Sequence, residues 1–258
     1  MSARLRLLLL PPLAVAAALA GLYLWVDGQQ LDGISLFALT NDDAATSATI
    51  FDGHVLTKVG EHVRLVGISA VFVLLLGIPL GILLTRTRSR IVSGVLNGFF
   101  AAGQAAPVIG ILVLLVAIFQ LKSWVPYVGL VLYSVLPVMS NTVEGIRNVD
   151  PALIDAARGQ GFSRWQVLRR VELPLAVPVM LAGVRTALVL LVGTATLATF
   201  VDAGGLGDVI NDGIKNQRDV VMITGAVYAA LLAVTIDWLA AIAERWLSPR
   251  GLRPEAGR

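Results

Sequence analysis

Cysteine is absent from the 258 residues, which rules out disulfide frameworks, thiolate metal sites and thiol nucleophiles before any motif is sought. Charge is scarce as well: Asp, Glu, Lys and Arg make up 14% of the chain, against roughly 25% in soluble domains. Histidine occurs only as His54 and His62. That pair lacks the i, i+4 spacing of a helical zinc site, so both read as ordinary polar residues. Neither a G-x-S-x-G elbow nor a G-x-x-x-x-G-K-S/T phosphate loop occurs, so acyl chemistry and ATP hydrolysis have no seat on this chain. An enzyme is therefore not expected, nor a metal or cofactor held by this chain. The net charge of +3 is small and its basic residues cluster in short loops, which speaks against a nucleic-acid surface.

Apolar residues, by contrast, make up 57% of the chain and fall in long blocks. A membrane-crossing helix needs ~20 mainly apolar residues, because every backbone group must be hydrogen-bonded internally where water is absent. Six segments qualify: Leu7 to Val26, Val63 to Leu84, about Ile91 to Phe119 broken by Pro107, Pro126 to Thr142, Pro174 to Phe200, and Val220 to Ala243. The expected fold class is thus an all-α membrane protein of about six transmembrane helices. In the third segment Asn97, Gly98, Gly103 and Gln104 weaken the apolar character, as at an interface or a cavity wall. Arg4 and Arg6 ahead of the first segment, with Ala16, Ala18 and Ala20 inside it, also suit a secretory signal. A signal's apolar region is usually ~7 to 15 residues, however, and this run continues through Leu22, Tyr23, Leu24, Trp25 and Val26 to a full span.

Basic residues then set the orientation. One side gathers Arg4 and Arg6, the loop with Arg86, Arg88 and Arg90, the loop with Arg147, Arg158, Arg164, Arg169 and Arg170, and the tail with Arg245, Arg250, Arg253 and Arg258; the other holds only Lys58, Arg64, Lys122, Lys215 and Arg218. Both termini are assigned to the cytoplasm. The first outer loop carries Asp27, Asp32, Asp42, Asp43 and Asp52 and is expected to have little secondary structure. Residues 1–60 form an N-terminal helix and acidic loop, 61–245 the main transmembrane domain, and 246–258 a cytoplasmic tail.

Within the spans, Gly77 with Gly81 and Gly94 with Gly98 would let helix backbones approach closely. Pro79, Pro107, Pro137 and Pro178 imply kinks. Arg185 and Asp237 are ionisable residues inside spans, which makes each a functional candidate by default. The plainer alternative has Arg185 snorkelling or bonding backbone carbonyls, and Asp237 facing headgroups or a basic neighbour.

The longest cytoplasmic loop runs from Glu144 to Pro174 and reads as two short helices. Asp150 is an N-cap with Pro151 at the first helical position, and Ser163 with Gln166 forms a capping box for the second helix. Leu153, Ile154, Ala157, Phe162, Trp165 and Leu168 recur at helical spacing, an amphipathic pattern that also suits a membrane-skimming pair. Asp155-Ala156-Ala157, Gly161, Val171 and Leu173-Pro174 reproduce a spacing that resembles the EAA loop of type I ABC importer permeases, with Asp for Glu and Val for Ile. The resemblance implies a coupling element, comprising Asp155, Ala156, Ala157, Gly161, Trp165, Val171, Leu173 and Pro174, that docks on a separate ATPase subunit. Ala156 and Ala157 would permit close packing, and Gly161 would supply a turn that bulky residues resist.

From about Glu61 onward, Gln104-Ala-Ala-Pro107, Leu136-Pro137, Val171 through Thr186, Gly193-Thr-Ala-Thr196 and the outer-loop stretch Ala203-Gly-Gly-Leu-Gly207 are similar to the osmoprotectant branch, which imports glycine betaine, choline, carnitine or proline-like solutes. Gln104-Ala-Ala-Pro107 departs from the branch's usual Gln-Thr-Ile-Pro, which bears on the substrate. The resemblance implies two permease subunits, identical or paralogous, a solute-binding protein outside, and two ATPase subunits that hold ATP and Mg inside. Candidate path residues are Gln104, Pro107, Asn141, Arg185, Thr194 and Thr196. Trp124, Tyr133 and Phe200 could stack on a quaternary ammonium, with interfacial packing as the alternative. The competing readings are a permease of the same fold for methionine or a polar amino acid, and a self-contained secondary transporter, which should show internal repeats and intramembrane ion ligands.

Overall fold

The computed structural model of the chain describes residues 3–28, 55–87, 91, 94, 95, 98, 101, 102 and 105–247, and its regular structure is helical. In chain order the helices are α1 (Ala3–Gly28), α2 (Val55–Arg86), α3 (Val108–Phe119), α4 (Val125–Arg147), α5 (Pro151–Gly159), α6 (Arg164–Val167), α7 (Leu173–Ala195), α8 (Leu206–Lys215) and α9 (Asp219–Leu247). A π-helical turn, Leu168–Glu172, joins α6 to α7, and a 3₁₀ turn, Thr196–Val201, continues α7. Four stretches are long and apolar enough to cross a membrane: Val55–Arg86, Val125–Arg147, Arg164–Val201 and Asp219–Leu247. Shorter apolar helical runs, Leu10–Leu22 and Val108–Phe119, accompany them. The acidic loop between α1 and α2, His54, Gln104 and the tail from 248 onward lie outside the described residues.

Two spans differ from the sequence expectation for stated reasons. The third was expected from about Ile91 with a kink at Pro107, yet Pro107 sits at φ −58 and ψ 126 and immediately precedes α3. Proline fixes φ and disfavours helix in the residue before it, so Pro107 starts a helix instead of bending one. The fifth span begins well before Pro174, because the expected second short helix of the loop is the first turn of the continuous stretch Arg164–Val201. Pro174 has no N–H to offer the carbonyl one turn earlier and its ring crowds that turn. A π pattern, in which the Leu173 N–H bonds the Leu168 carbonyl, widens the helix enough to carry it through the proline.

The chain divides into two compact units. The first draws on Met1–Ser69, Pro107–Leu130 and Val189–Ile236. In it Leu22 and Val55 are buried among Val59, Val220, Val227 and Tyr228. The second draws on Ala70–Ala106, Val131–Leu188 and Asp237–Arg258. Its packing centres are Leu84, Val135 and Met139, and separately Ile146, Leu168, Ala176 and Met180. Close backbone approach holds this unit together where lipid supplies no hydrophobic drive between helices: a Cβ added at Gly77 would fall 2.9 Å from Val138, and one at Gly81 2.6 Å from Thr142. The first expected small-residue pair is therefore a packing seam between α2 and α4. The second shows no such seam among the described residues, where a Cβ at Gly94 or Gly98 would meet nothing within 4 Å.

Candidate functional site

The corner between α5 and α6 is built by local sequence signals. Asp150 accepts a hydrogen bond from the Ala152 N–H (2.9 Å), capping α5 with Pro151 in its first turn. The capping box at α6 is complete: the Gln166 N–H donates to Ser163 Oγ (3.3 Å), and the Ser163 N–H donates to Gln166 Oε1 (2.8 Å). Between them α5 ends in a Schellman turn, with the Phe162 N–H on the Ala157 carbonyl (3.2 Å) and the Gly161 N–H on the Arg158 carbonyl (2.9 Å). Gly161 takes the left-handed position at φ +84, where a Cβ costs energy. Nothing lies within 4 Å of where that Cβ would go. For a Cβ at this position the obstacle among the described residues is therefore handedness and not a clash.

The corner has an anchored side and an open side. Ala157, Val167 and Leu168 are buried, and Val171, Leu173 and Pro174 half-buried, whereas Asp155, Ala156, Gly161 and Trp165 are exposed. Of the two adjacent alanines, Ala157 packs inward and only Ala156 faces out. Leu153 and Trp165 are 48% and 66% exposed, large apolar groups that the described residues leave partly uncovered. Asp155 and Arg158 approach to 4.0 Å while both remain well exposed, a surface pair of small energetic weight. Arg170 covers the Phe162 ring at 5.6 Å, a cation–π contact that braces the turn. Beneath it Glu172, only 3% exposed, receives both terminal nitrogens of Arg86 at the end of α2. No motif or spacing in the sequence singles out Glu172. Its burial is set by the π turn, which no spacing rule anticipates.

A second polar constellation occupies the first unit. His62 was read as an ordinary polar residue, but it stands within α2 with no solvent exposure. Its Nε2 lies 3.1 Å from the Val192 carbonyl, and the Leu206 N–H donates to Nδ1 (3.4 Å). Only the neutral ring with its proton on Nε2 satisfies both. Lys58 bonds Glu61 (3.0 Å) and Asp208 (2.9 Å), Glu61 also accepts from the Gly205 N–H (2.9 Å), and Thr199 donates to Asp208. Gly204 and Gly205 have φ of +78 and +89. A Cβ at Gly205 would fall 3.0 Å from His62 Nδ1, and one at Gly207 2.0 Å from the Thr196 carbonyl oxygen. The Ala203-to-Gly207 stretch is thus the turn that α2 grips through charged and ring hydrogen bonds.

The candidate path residues are not brought into one hydrogen-bonded cluster among the described residues. Asn141 donates to the Pro137 carbonyl (2.8 Å), Thr194 to the Leu190 carbonyl (2.8 Å) and Thr196 to the Gly193 carbonyl (2.7 Å), each within its own helical stretch. Arg185 and Asp237, read separately from the sequence, pair with each other through Nε to Oδ1 and Nη2 to Oδ2. Trp124 packs against Phe119 with ring centroids 5.2 Å apart, and Phe200 is exposed.

Residues 77–249 match the family described as "Binding-protein-dependent transport system inner membrane component". The glycine betaine/carnitine/choline transport system permease protein OpuCB of Bacillus subtilis is 38% identical over 201 residues, covering 78% of this chain and 92% of that protein. The osmoprotectant import permease protein OsmY of Salmonella typhimurium is 41% identical over 189 residues, covering 73% of this chain and 80% of its own. Among solved structures, an inward-facing MetNI methionine ABC transporter chain superposes with a TM-score of 0.67 at 22% identity, covering 80% of this chain and all of that one. That degree of identity carries the fold alone.

Proposed function

Because the chain belongs to the inner membrane component family of binding-protein-dependent transport systems, we propose that it is the permease subunit of an ATP-driven importer of osmoprotectants such as glycine betaine, carnitine or choline. The observation that carries the coupling role is the α5–α6 corner. It is fixed by two caps and a Schellman turn, yet it presents Leu153 and Trp165 outward. Exposed apolar anchors on a rigid polar element suit a protein partner. Here that partner is a separate ATPase subunit, which holds ATP and Mg and drives the corner on each closure. The substrate class follows from the relatives, whose similarity extends over three quarters of the chain.

In this reading a second permease, identical or paralogous, completes the path, and an extracytoplasmic binding protein delivers solute. Both termini face the cytoplasm, as the basic loops require. The test is uptake of labelled glycine betaine, carnitine and choline by cells lacking their own importers and supplied with this chain, its ATPase and its binding protein. Uptake that needs all three components supports the reading. Uptake by the chain alone, or uptake of none of the three solutes by the full set, refutes it.

A further inference from the structure

Two charges stand inside membrane-spanning helices where the coupling corner does not account for them. Arg185 on α7 and Asp237 on α9 meet side-on, with Nε on Oδ1 and Nη2 on Oδ2. This takes two of the five guanidinium N–H donors. The end-on fork formed by Nη1 and the remaining N–H of Nη2 meets no acceptor among the described residues. The Arg185 and Asp237 side chains are 41% and 36% exposed. Arg185 and Asp237 each lie inside a stretch long and apolar enough to cross a membrane, Arg164–Val201 and Asp219–Leu247.

A half-open charged pair within such stretches is costly against lipid tails and is met where the open edge faces protein or water. On the α7 side the exposed residues beside Arg185, Ala182 and Thr186, are small, whereas on α9 the exposed residues near Asp237, Val234 and Leu239, are large and apolar, so the open edge of the pair lies against the small-residue side. The position is held firmly: a Cβ at Gly183 would fall 2.5 Å from the Asn141 Cβ and 2.6 Å from the Pro137 carbonyl oxygen. This close seam with α4 fixes α7 two residues before Arg185.

We propose that the open fork of Arg185 is a carboxylate-binding site on the solute's route, and that Asp237 is the positioning residue that fixes the guanidinium plane. A guanidinium fork offers a carboxylate two parallel charge-assisted hydrogen bonds. The attached Asp237 balances the charge, so that the empty site does not leave a lone cation in the membrane. The ligand class is a small zwitterion bearing a carboxylate. Glycine betaine and carnitine carry that group and choline does not. The proposal rests on the permease reading above and narrows it.

The experiment uses proteoliposomes holding the complete transporter with its binding protein, and labelled glycine betaine as the probe. Arg185→Lys keeps a cation for Asp237 but offers no second fork. It is expected to assemble normally and hydrolyse ATP in response to loaded binding protein, while uptake falls about tenfold and ATP consumed per solute rises to match. Arg185→Met with Asp237→Leu removes both charges, an exchange that bundles commonly tolerate, and is expected to assemble yet lose uptake to at least the same extent. Uptake within threefold of the unaltered transporter in either variant overturns the proposal and leaves the pair a helix staple. If the double variant fails to assemble, the lysine variant decides alone. Uptake of choline but of neither glycine betaine nor carnitine by the unaltered transporter overturns this proposal and leaves the permease reading standing, whereas uptake of none of the three sinks that reading and this proposal with it.

Discussion

Replacing Gly161 tests whether the corner acts through its shape. The residue holds φ +84, and an L side chain in that region costs about 1–2 kcal/mol, with Asn the best tolerated. Among the described residues no atom lies within 4 Å of the added Cβ, so the cost of that atom is conformational. The penalty falls on the Schellman turn, whose two hydrogen bonds close at 2.9 and 3.2 Å. A shift of one to two kcal/mol changes a population ratio by roughly 5–30-fold. The expected order of uptake is unaltered chain, then Gly161→Asn, then Gly161→Ala, with Gly161→Val lowest because β-branching tolerates positive φ least. Solute uptake should be measured together with membrane abundance, and abundance is expected to hold, since the turn lies outside the spans. Equal uptake for Gly161→Val and Gly161→Asn would refute the reasoning, because bulk or nothing at all would then be governing the position.

Other outcomes follow from the same structure. Arg86→Met strands the Glu172 carboxylate, whose side chain is 4% exposed; the expected cost is about 3 kcal/mol, the low end of the range because Arg86 is partly in solvent. Adding Glu172→Leu should restore most of the thermal stability of the purified complex, and a single variant as stable as the unaltered chain contradicts the pairing. His62→Leu leaves the Leu206 N–H buried without its ring acceptor, about 1–3 kcal/mol, and takes the ring N–H from the Val192 carbonyl, whereas His62→Gln retains a donor and an acceptor and should lower the thermal midpoint less. Trp165→Ala, if Trp165 is an interface anchor, should weaken ATPase binding by about 2 kcal/mol, roughly 30-fold, with membrane abundance unchanged; retention of the ATPase at full strength through purification and washing counts against the docking surface.

Local rules recovered much of this. The caps at Asp150 and Ser163 act within a few residues, and composition alone locates the apolar helices, so both were legible in the sequence. The seam at Gly77 and Gly81 was legible for the same reason, although nothing in the spacing separates it from Gly94 and Gly98, where none of the described residues approaches. Harder to read were the partnerships between distant residues. Arg185 finds Asp237, Arg86 finds Glu172, and His62 finds Leu206 and Val192 only after the helices pack, and no periodicity encodes which helix lies beside which. The π turn before Pro174 is hidden in the sequence because proline marks a helix boundary as readily as an interior site, whereas here a continuous helix absorbs it by widening. A signal for His62 did exist: the glycines at 204, 205 and 207 mark backbone that something must approach closely, and the partner is a ring on α2.

The central claim is that the α5–α6 corner faces the cytoplasm and seats a separate ATPase. The chain has no cysteine, so Ala156→Cys, a small change at an exposed position of the corner that leaves Trp165 in place, gives a single thiol for a membrane-impermeant maleimide. The account predicts labelling in inside-out vesicles stripped of the ATPase, protection when the ATPase is added back, and no labelling of intact cells. Labelling from outside intact cells, or undiminished labelling with the ATPase bound, would contradict it.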